Sequence, residues 1–560
     1  MQYAALWLLL FVALPSLYLY SKNSDINIFL LSIIPIIYYW ALVKDSRHLI
    51  VFYPFIVIVP FILFYIHFYD TSITEQILSI VIESNWQETL GFLGANIYWY
   101  ISVFIIWLLV VSLLFWFNHH RPILWEHRSR WWLVIGASSI LMMTVTANYA
   151  LSMSTKEIAT YDESNDFLVE NKNKFFQEFK HTYPLGLLVS LNDFFQEQAK
   201  ISAAFDKNKN FSFQATQSHI KESKQLVVLV IGETSRRANW QLNNYSRATN
   251  PLLSKQQNLI NFTDMIGVSE ATRSSIPMIL TRKPAKKVYE YDFPEKSVIS
   301  AFKEAGFQTY WLSTQQKFGK YDTSTSVYAK EADKMIFLNK ANYYHHGETD
   351  EVVLPVFKKI LNNSNQKTFI VIHTLGSHFD YSHRYPPSFD VFKPSLNDLD
   401  KYSMQDRHYK QQLINSYDNS ILYTDYVLNE LIENMKMQTD TESFLLYSSD
   451  HGEDLFDNNC DKVGHGNETA YNVEIASFAW YSDKFVNNNS QKVQKLEKNK
   501  NSKVNQTSIF PTLVDAASIN IPQYNNKRSV LSNLDPYPRL ILGGKDYDDI
   551  EWRGICRETE

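Results

Sequence analysis

Cysteine is nearly absent: the chain has two in 560 residues, Cys460 and Cys556. That argues against iron–sulfur and thiolate-held copper sites, which need several soft sulfur ligands. It also limits the chain to one disulfide at most, with a bridge and two free thiols both open. Long basic tracts are missing too, and the net charge is only −5, so nothing in the sequence speaks for a nucleic-acid partner. Charge is scarcest in the first 150 residues, and there the absence carries information.

Five runs in that region are uncharged or nearly so: 3–20 (YAALWLLLFVALPSLYLY), 26–43 (INIFLLSIIPIIYYWALV), 49–69 (LIVFYPFIVIVPFILFYIHFY), 98–117 (YWYISVFIIWLLVVSLLFWF) and 131–150 (WWLVIGASSILMMTVTANYA). Each approaches the ~20 residues with which a helix crosses a bilayer. The first lacks the basic flank and small-residue cleavage site of a signal peptide, and four more runs follow it. The expectation is a five-span membrane domain over 1–150. Lys44, Arg47 and His48 lie between runs two and three, and Arg121, Arg128 and Arg130 between runs four and five, which places those loops in the cytoplasm. The loop at 70–97 carries Asp70, Glu75, Glu83 and Glu88 with no Lys or Arg, and is free to face outward. Everything after residue 150 is then external.

Residues 151–222 mix charges with short amphipathic pieces such as FLVENKNKFFQEF (167–179) and PLGLLVSL (184–191), which reads as a linker of short bridging helices. From 223 to 560 the pattern becomes α/β. Short apolar runs, QLVVLVIG (225–232), TYWLST (309–314), TFIVIHT (368–374) and SFLLYSS (443–449), alternate with helical stretches at 297–306 and 414–435. Near-continuous apolar strands separated by helices predict a mostly parallel sheet covered on both faces. NNNSQKVQKLEKNKNSK (487–503) reads as a solvated loop or insertion.

Three of those strands run into residues suited to metal chemistry. Glu233 follows the first, His373 and His378 follow or end the third, and Asp450 and His451 follow the fourth, while the loop GHGNET adds His465. Ligands of open α/β sheets bind beyond the carboxyl ends of the strands, so these groups are expected to share one crevice. Carboxylates with imidazoles form a borderline-hard N/O set that suits Zn²⁺ or Mn²⁺. The stretch VSEATRSSIP (268–277) offers four hydroxyls, on Ser269, Thr272, Ser274 and Ser275, at what reads as a helix start, where Ser and Thr ordinarily cap backbone N–H groups.

In order along the chain, IGETSRRANWQLNNYSRATNP (231–251), SEATRSSIP, WLSTQQKFGKYDT (311–323), HTLGSHFDYSHRYP (373–386), SSDHGED and GHGNET resemble the motifs of the bacterial phosphoethanolamine transferases that modify lipid A and lipopolysaccharide core. These are membrane members of the alkaline phosphatase and sulfatase superfamily. The resemblance implies a multi-pass helical domain in the bacterial inner membrane and a periplasmic sulfatase-like catalytic domain. It implies Thr272 as the nucleophile, and Glu233, Thr272, Asp450 and His451 as ligands of a catalytic zinc. His378 and His465 match the family's second group of histidines, which contact phosphoethanolamine or a further zinc. One or two zinc ions are thus expected, with Mn²⁺ as the alternative.

The implied reaction takes phosphoethanolamine from phosphatidylethanolamine and gives it to lipopolysaccharide, on a core sugar or lipid A. Many lipid A-modifying members of that family have several periplasmic disulfides and this chain can form one at most, which favours the low-cysteine, core-modifying branch and leaves the acceptor open. Two other readings use the same fold: a glycerol-phosphate transferase, and a sulfatase or phosphatase with water as acceptor. Sulfatases convert a Cys or Ser within C/S-x-P/A-x-R to formylglycine, and the expectation is that SEATRSSIP does not supply such a sequence.

Overall fold

The structure is a computed structural model that describes residues 3–23, 26–69, 72–74, 78, 97–139, 142, 179–217, 224–290, 293–315, 324–339, 348–364 and 367–559. The chain divides into two compact units, residues 1–84 with 96–198, and residues 85–95 with 199–560.

In the first unit, four of the five expected runs are helices: α1 (Ala4–Asn23), α2 (Ile26–Val43), α3 (Tyr53–Tyr69, preceded by a 3₁₀ turn over Ser46–Phe52) and α4 (Ile97–His120). Among the described residues, Ala4–Lys22, Ser46–His67 and Ile97–His120 are long and apolar enough to cross a membrane, and Ile28–Val43 is a shorter apolar helix. The fifth run is helical over 131–139, and most of its remainder lies outside the described residues, as do 151–178. Where the sequence suggests short pieces, 185–208 forms one 24-residue helix, α5 (Leu185–Asn208).

Two pairings inside this unit satisfy polar groups among apolar surroundings. Pro60 in α3 has no N–H to give the Ile56 carbonyl one turn back, and the Trp107 indole of α4 donates to it instead at 2.8 Å. Ser46 and Asn118 exchange two hydrogen bonds, hydroxyl to Oδ1 at 2.6 Å and Nδ2 to carbonyl at 2.8 Å, and so close the ends of α3 and α4 on each other.

The second unit is built on a seven-stranded sheet: β1 (Gln225–Gly232), β2 (Leu259–Asn261), β3 (Gln308–Ser313), β4 (Lys334–Phe337), β5 (Thr368–His373), β6 (Glu442–Ser449) and β7 (Ser477–Tyr481), in spatial order β2-β7-β6-β1-β5-β3-β4. β7 is antiparallel to both its neighbours, and the other pairs are parallel. The four strands expected from sequence occupy the middle of the sheet, where both faces are covered and the apolar run is unbroken. β2, β4 and β7 are short and lie toward the edges, which is why no long apolar run announces them.

Alternate residues of the central strands enter opposite cores, as the two-residue repeat dictates. Val227, Leu229, Ile231, Val371 and Leu446 face α6 (Thr272–Leu280), α7 (Val298–Glu304) and α11 (Ile509–Ala516). Leu226, Val228, Val230, Ile370 and Leu445 face α8 (Val353–Asn363) and α9 (Lys410–Lys436). The lysine-rich stretch 487–503 is not a loop: it contains α10 (Ser490–Asn499), whose Leu496 is buried and whose Val493 packs beside it on the first core. Two apolar positions at i, i+3 suffice for a helix whose other faces are solvated.

Cys460 and Cys556 form a disulfide that ties the C-terminal segment to the loop after β6. The same two segments are joined by Ala470 N–H to the Arg557 carbonyl (2.9 Å), Lys462 to Glu558 (2.9 Å) and Arg557 to Glu474 (2.7 Å). Closing so long a loop stabilises a fold by about 2–4 kcal/mol. Replacing both cysteines with serine in the detergent-solubilised full chain should lower its Tm by several degrees; an unchanged melting curve would show that the noncovalent ties alone hold this segment.

Candidate functional site

The site follows from strand register. β1 and β6 are parallel with Gly232 opposite Ser449, so the residues just past each strand, Glu233 and Asp450, emerge side by side. β5 on the other side aligns His373 with Ile231. The chain turns away from β1 at Thr234, which has a left-handed φ of 61°. Its N–H donates to Asp450 Oδ1 at 2.9 Å, and the His451 N–H donates to the same oxygen at 2.7 Å. The loop after β5 closes tightly on Glu233: a Cβ at Gly376 would lie 2.8 Å from the Glu233 carbonyl oxygen, and Ser377 N–H donates to that oxygen at 3.0 Å. Asp350 holds this loop by accepting from Leu375 N–H (2.9 Å) and Gly376 N–H (2.8 Å).

Thr272 arrives from elsewhere as the first residue of α6. Gln506 fixes its approach, accepting from Val268 N–H at 2.9 Å through Oε1 and donating to the Asp450 carbonyl through Nε2. The Thr272 hydroxyl lies 3.1 and 3.2 Å from the two Glu233 oxygens and 3.4 Å from His451 Nε2. His451 Nε2 is 3.3 Å from Glu233 Oε1 and 3.5 Å from Asp450 Oδ2. Two ligands each ~2.1 Å from a tetrahedral zinc lie about 3.4 Å apart, so the spacing is that of a ligand shell.

The hydrogen bonds around the cluster agree. His451 Nδ1 is 2.9 Å from the Gly452 carbonyl and donates to it, which leaves the Nε2 lone pair facing the carboxylates. Asp450 Oδ2 is buried without a hydrogen-bond partner among the described residues, a cost that a cation would remove. Glu233, Asp450 and His451 are all fully buried and group as a candidate metal set. Burial works against ionising Glu233, but the His451 hydrogen bond and nearby imidazoles hold its carboxyl well below the usual range. Burial and the Glu233 charge push Asp450 up to about 6. Burial opposes the His451 imidazolium, yet Asp450 and Glu233 together drive it up to about 10. Bare, the cluster therefore captures a proton; a divalent ion competes for the same place.

A second candidate set adjoins the first through His451: Glu453 and His465. His465 Nδ1 is 3.3 Å from Glu453 Oε2, its ring lies 4.4 Å from that of His451, and Glu453 Oε1 is buried with no partner among the described residues. His378 belongs to neither set. It is half-buried, with Nδ1 2.7 Å from the Phe379 carbonyl and its own carbonyl held by Arg384 Nε at 3.0 Å. His373 is buried at the end of β5, where burial lowers its pKa to about 4, so it is neutral.

Sequence reasoning missed Glu453 although it stands in the quoted SSDHGED, three residues after Asp450. It also missed Gln315, whose Nε2 donates to Glu233 Oε2 at 3.2 Å, and Gln506, which no motif marks. Contrary to the expectation from sequence, SEATRSSIP does supply a formylglycine-type spacing. Ser269-Glu270-Ala271-Thr272-Arg273 does carry the S-x-A-x-R spacing of a formylglycine sequence. The structure separates the two hydroxyls: Ser269 is buried with its Oγ 2.6 Å from Ser274 Oγ, whereas Thr272 enters the cluster. Ser274 and Ser275 are buried and bond back to the Ala271 and Ser269 carbonyls.

Asp450→Asn should sharply lower the metal content of the purified chain, because an amide is a weaker ligand than a carboxylate for a divalent ion. Elemental analysis of wild type and variant side by side reads this directly, and full occupancy in the variant would remove Asp450 from the ligand set.

Residues 225–519 match the sulfatase family. The chain is 28% identical over 351 residues to phosphoethanolamine transferase EptC of Escherichia coli, a match covering 58% of each protein, so it spans little more than half the length of that curated relative. The crystal structure of the C-terminal periplasmic domain of E. coli EptC in complex with Zn is similar at a TM-score of 0.54 and 26% identity, over 62% of this chain and 98% of that one. The integral membrane lipooligosaccharide phosphoethanolamine transferase A of Neisseria meningitidis shares the fold at a TM-score of 0.68 and 19% identity, over 94% of this chain and 97% of that one. The family match takes in more than half of the residues and every member of both candidate metal sets, and the chain belongs to the sulfatase family.

Proposed function

We propose that the chain is a zinc-dependent phosphoethanolamine transferase that moves the head group of phosphatidylethanolamine to a lipopolysaccharide acceptor through Thr272. The observation that carries this reading is the Thr272 hydroxyl, set at a helix start and within 3.4 Å of Glu233 and His451. A threonine hydroxyl is a poor nucleophile at neutral pH and needs activation. Zinc held by Glu233, Thr272, Asp450 and His451 would lower the hydroxyl's pKa and offset charge on the phosphoryl group. The EptC domain similar to this chain was crystallised with Zn, which favours that metal over Mn²⁺.

The chain's own residues do the rest. Glu233 accepts the hydrogen of the Thr272 hydroxyl, and the N-terminal end of α6 presents its dipole to the anionic phosphoryl group. The Thr272 Oγ1–phosphorus bond forms as the bond from phosphorus to the diacylglycerol oxygen breaks, and that oxygen leaves with a proton. An acceptor hydroxyl then attacks phosphorus, gives up its proton and restores the threonine. The His451, Glu453 and His465 set holds a second zinc or the transferred group, and His378 lines the same cleft.

A lipid donor and a lipid-borne acceptor explain the apolar N-terminal helices. In this reading 1–150 is a multi-pass domain of the bacterial inner membrane, 151–222 a bridging segment and 223–560 a periplasmic catalytic domain. The E. coli relatives EptC and EptA carry the phosphoethanolamine transferase name, which favours this donor over glycerol phosphate.

With phosphatidylethanolamine and no acceptor, the purified full chain should gain one phosphoethanolamine on the peptide containing Thr272 while diacylglycerol is released. Thr272→Ala should do neither at an unchanged Tm, since it loses one half-buried hydroxyl. A label on Ser269 or Ser274, or a glycerol-phosphate adduct from phosphatidylglycerol alone, would overturn the assignment.

A further inference from the structure

One carboxylate beside the nucleophile has no part in the scheme above. Glu270 lies two residues before Thr272 and belongs to neither candidate metal set. It is half-buried, its Oε2 accepts the Glu468 N–H at 2.7 Å, and among the described residues no Lys or Arg pairs with it. Glu468 lies three residues after His465, so this hydrogen bond holds Glu270 between Thr272 and the loop of the second candidate metal set.

A hydrogen bond fixes its direction. Ala271, between Glu270 and Thr272, is extended at φ −144° and ψ 140°. Two such steps advance the chain about 7 Å, so Glu270 stands one short reach from Thr272 along the backbone, with its carboxylate turned to the loop that carries His465 and Glu468. The segment is held there: Val268 N–H is taken by Gln506 and the Ser269 hydroxyl by Ser274. The donor of the Glu270 hydrogen bond is fixed as well. Glu468 sits at a left-handed φ of 53°, and its side chain is tied to Lys545 at 2.9 Å and to the Thr559 hydroxyl at 2.8 Å in the C-terminal segment.

We infer that Glu270 receives the ammonium of the ethanolamine head group while its phosphorus stands at Thr272. This deepens the transfer reading and rests on it. In phosphoethanolamine only one ester oxygen and two carbons separate the ammonium from phosphorus, so the carboxylate that receives it must stand close to Thr272, as a residue two positions away does. A partly buried carboxylate that no Lys or Arg pairs with has lost part of its solvation, and an ammonium offsets that loss through charge-assisted hydrogen bonds. A glycerol head group brings no positive charge and gains nothing here, so Glu270 sets the choice of head group.

Calorimetric titration of the zinc-loaded full chain with phosphoethanolamine and with ethyl phosphate, which has the same phosphate ester and no ammonium, tests this. Wild type should bind phosphoethanolamine about tenfold more tightly than ethyl phosphate. Glu270→Gln should bind the two alike with unchanged zinc content, and Glu270→Asp, which keeps the charge, should keep a preference. A preference intact in Glu270→Gln, no preference in wild type, or loss of zinc from Glu270→Gln would each overturn the inference. Failure of the transfer reading shows separately, as no adduct on Thr272 of the wild type with phosphatidylethanolamine.

Discussion

Two carboxylates, an imidazole and a hydroxyl are forced together at one buried point, and the parallel register of β1 with β6 does the forcing. Gly232 opposite Ser449 leaves Glu233 and Asp450 no choice but to emerge as neighbours. A slip of one residue would turn every alternating side chain of β1 into the wrong core. The two cores that stabilise the sheet therefore also set the spacing of the site: Val228 and Val230 on one face and Leu229 and Ile231 on the other lock the strand whose end carries Glu233.

The price of this crowding is electrostatic. Burial and mutual repulsion oppose ionising both Glu233 and Asp450, and a positive charge between them, on a metal ion or on the His451 imidazole, offsets that repulsion. The surroundings are arranged to keep that tension rather than relieve it. Thr234 and His451 N–H groups satisfy only Oδ1 of Asp450, leaving Oδ2 aimed at the imidazole, while Glu233 accepts from the Thr234 hydroxyl on Oε1 and from Gln315 on Oε2. Glu453 repeats the pattern beside His465. Thr272, brought in on a separate segment by Gln506, completes the first set with a group that can be both ligand and nucleophile.

Much of this was legible in the sequence because it is written in local patterns. The central strands are continuous apolar runs, the apolar N-terminal stretches are long, and Glu233, Asp450 and His451 sit at strand ends, where open sheets gather their ligands. What was not legible depends on contacts between distant segments. No spacing rule links Gln506 to Val268 and Asp450, or the C-terminal residues to Glu468. The pairing of Cys460 with Cys556 needed the C-terminal segment to be placed. Edge strands such as Lys334–Phe337 are too short and too polar on one side to stand out, and Leu496 alone could not reveal a helix among lysines. The S-x-A-x-R spacing shows the reverse: the letters fit a serine nucleophile, and only the burial of Ser269 shows that its hydroxyl faces Ser274 instead of the cluster.

The account stands on a metal ion at this cluster with Thr272 as one of its ligands. Anomalous diffraction at the zinc absorption edge, from crystals of the metal-replete chain, reads that directly. A peak ~2.0–2.2 Å from Glu233, Asp450, His451 Nε2 and Thr272 Oγ1 is the predicted result. A cluster without a peak, or a zinc ion bound away from Thr272, would contradict it.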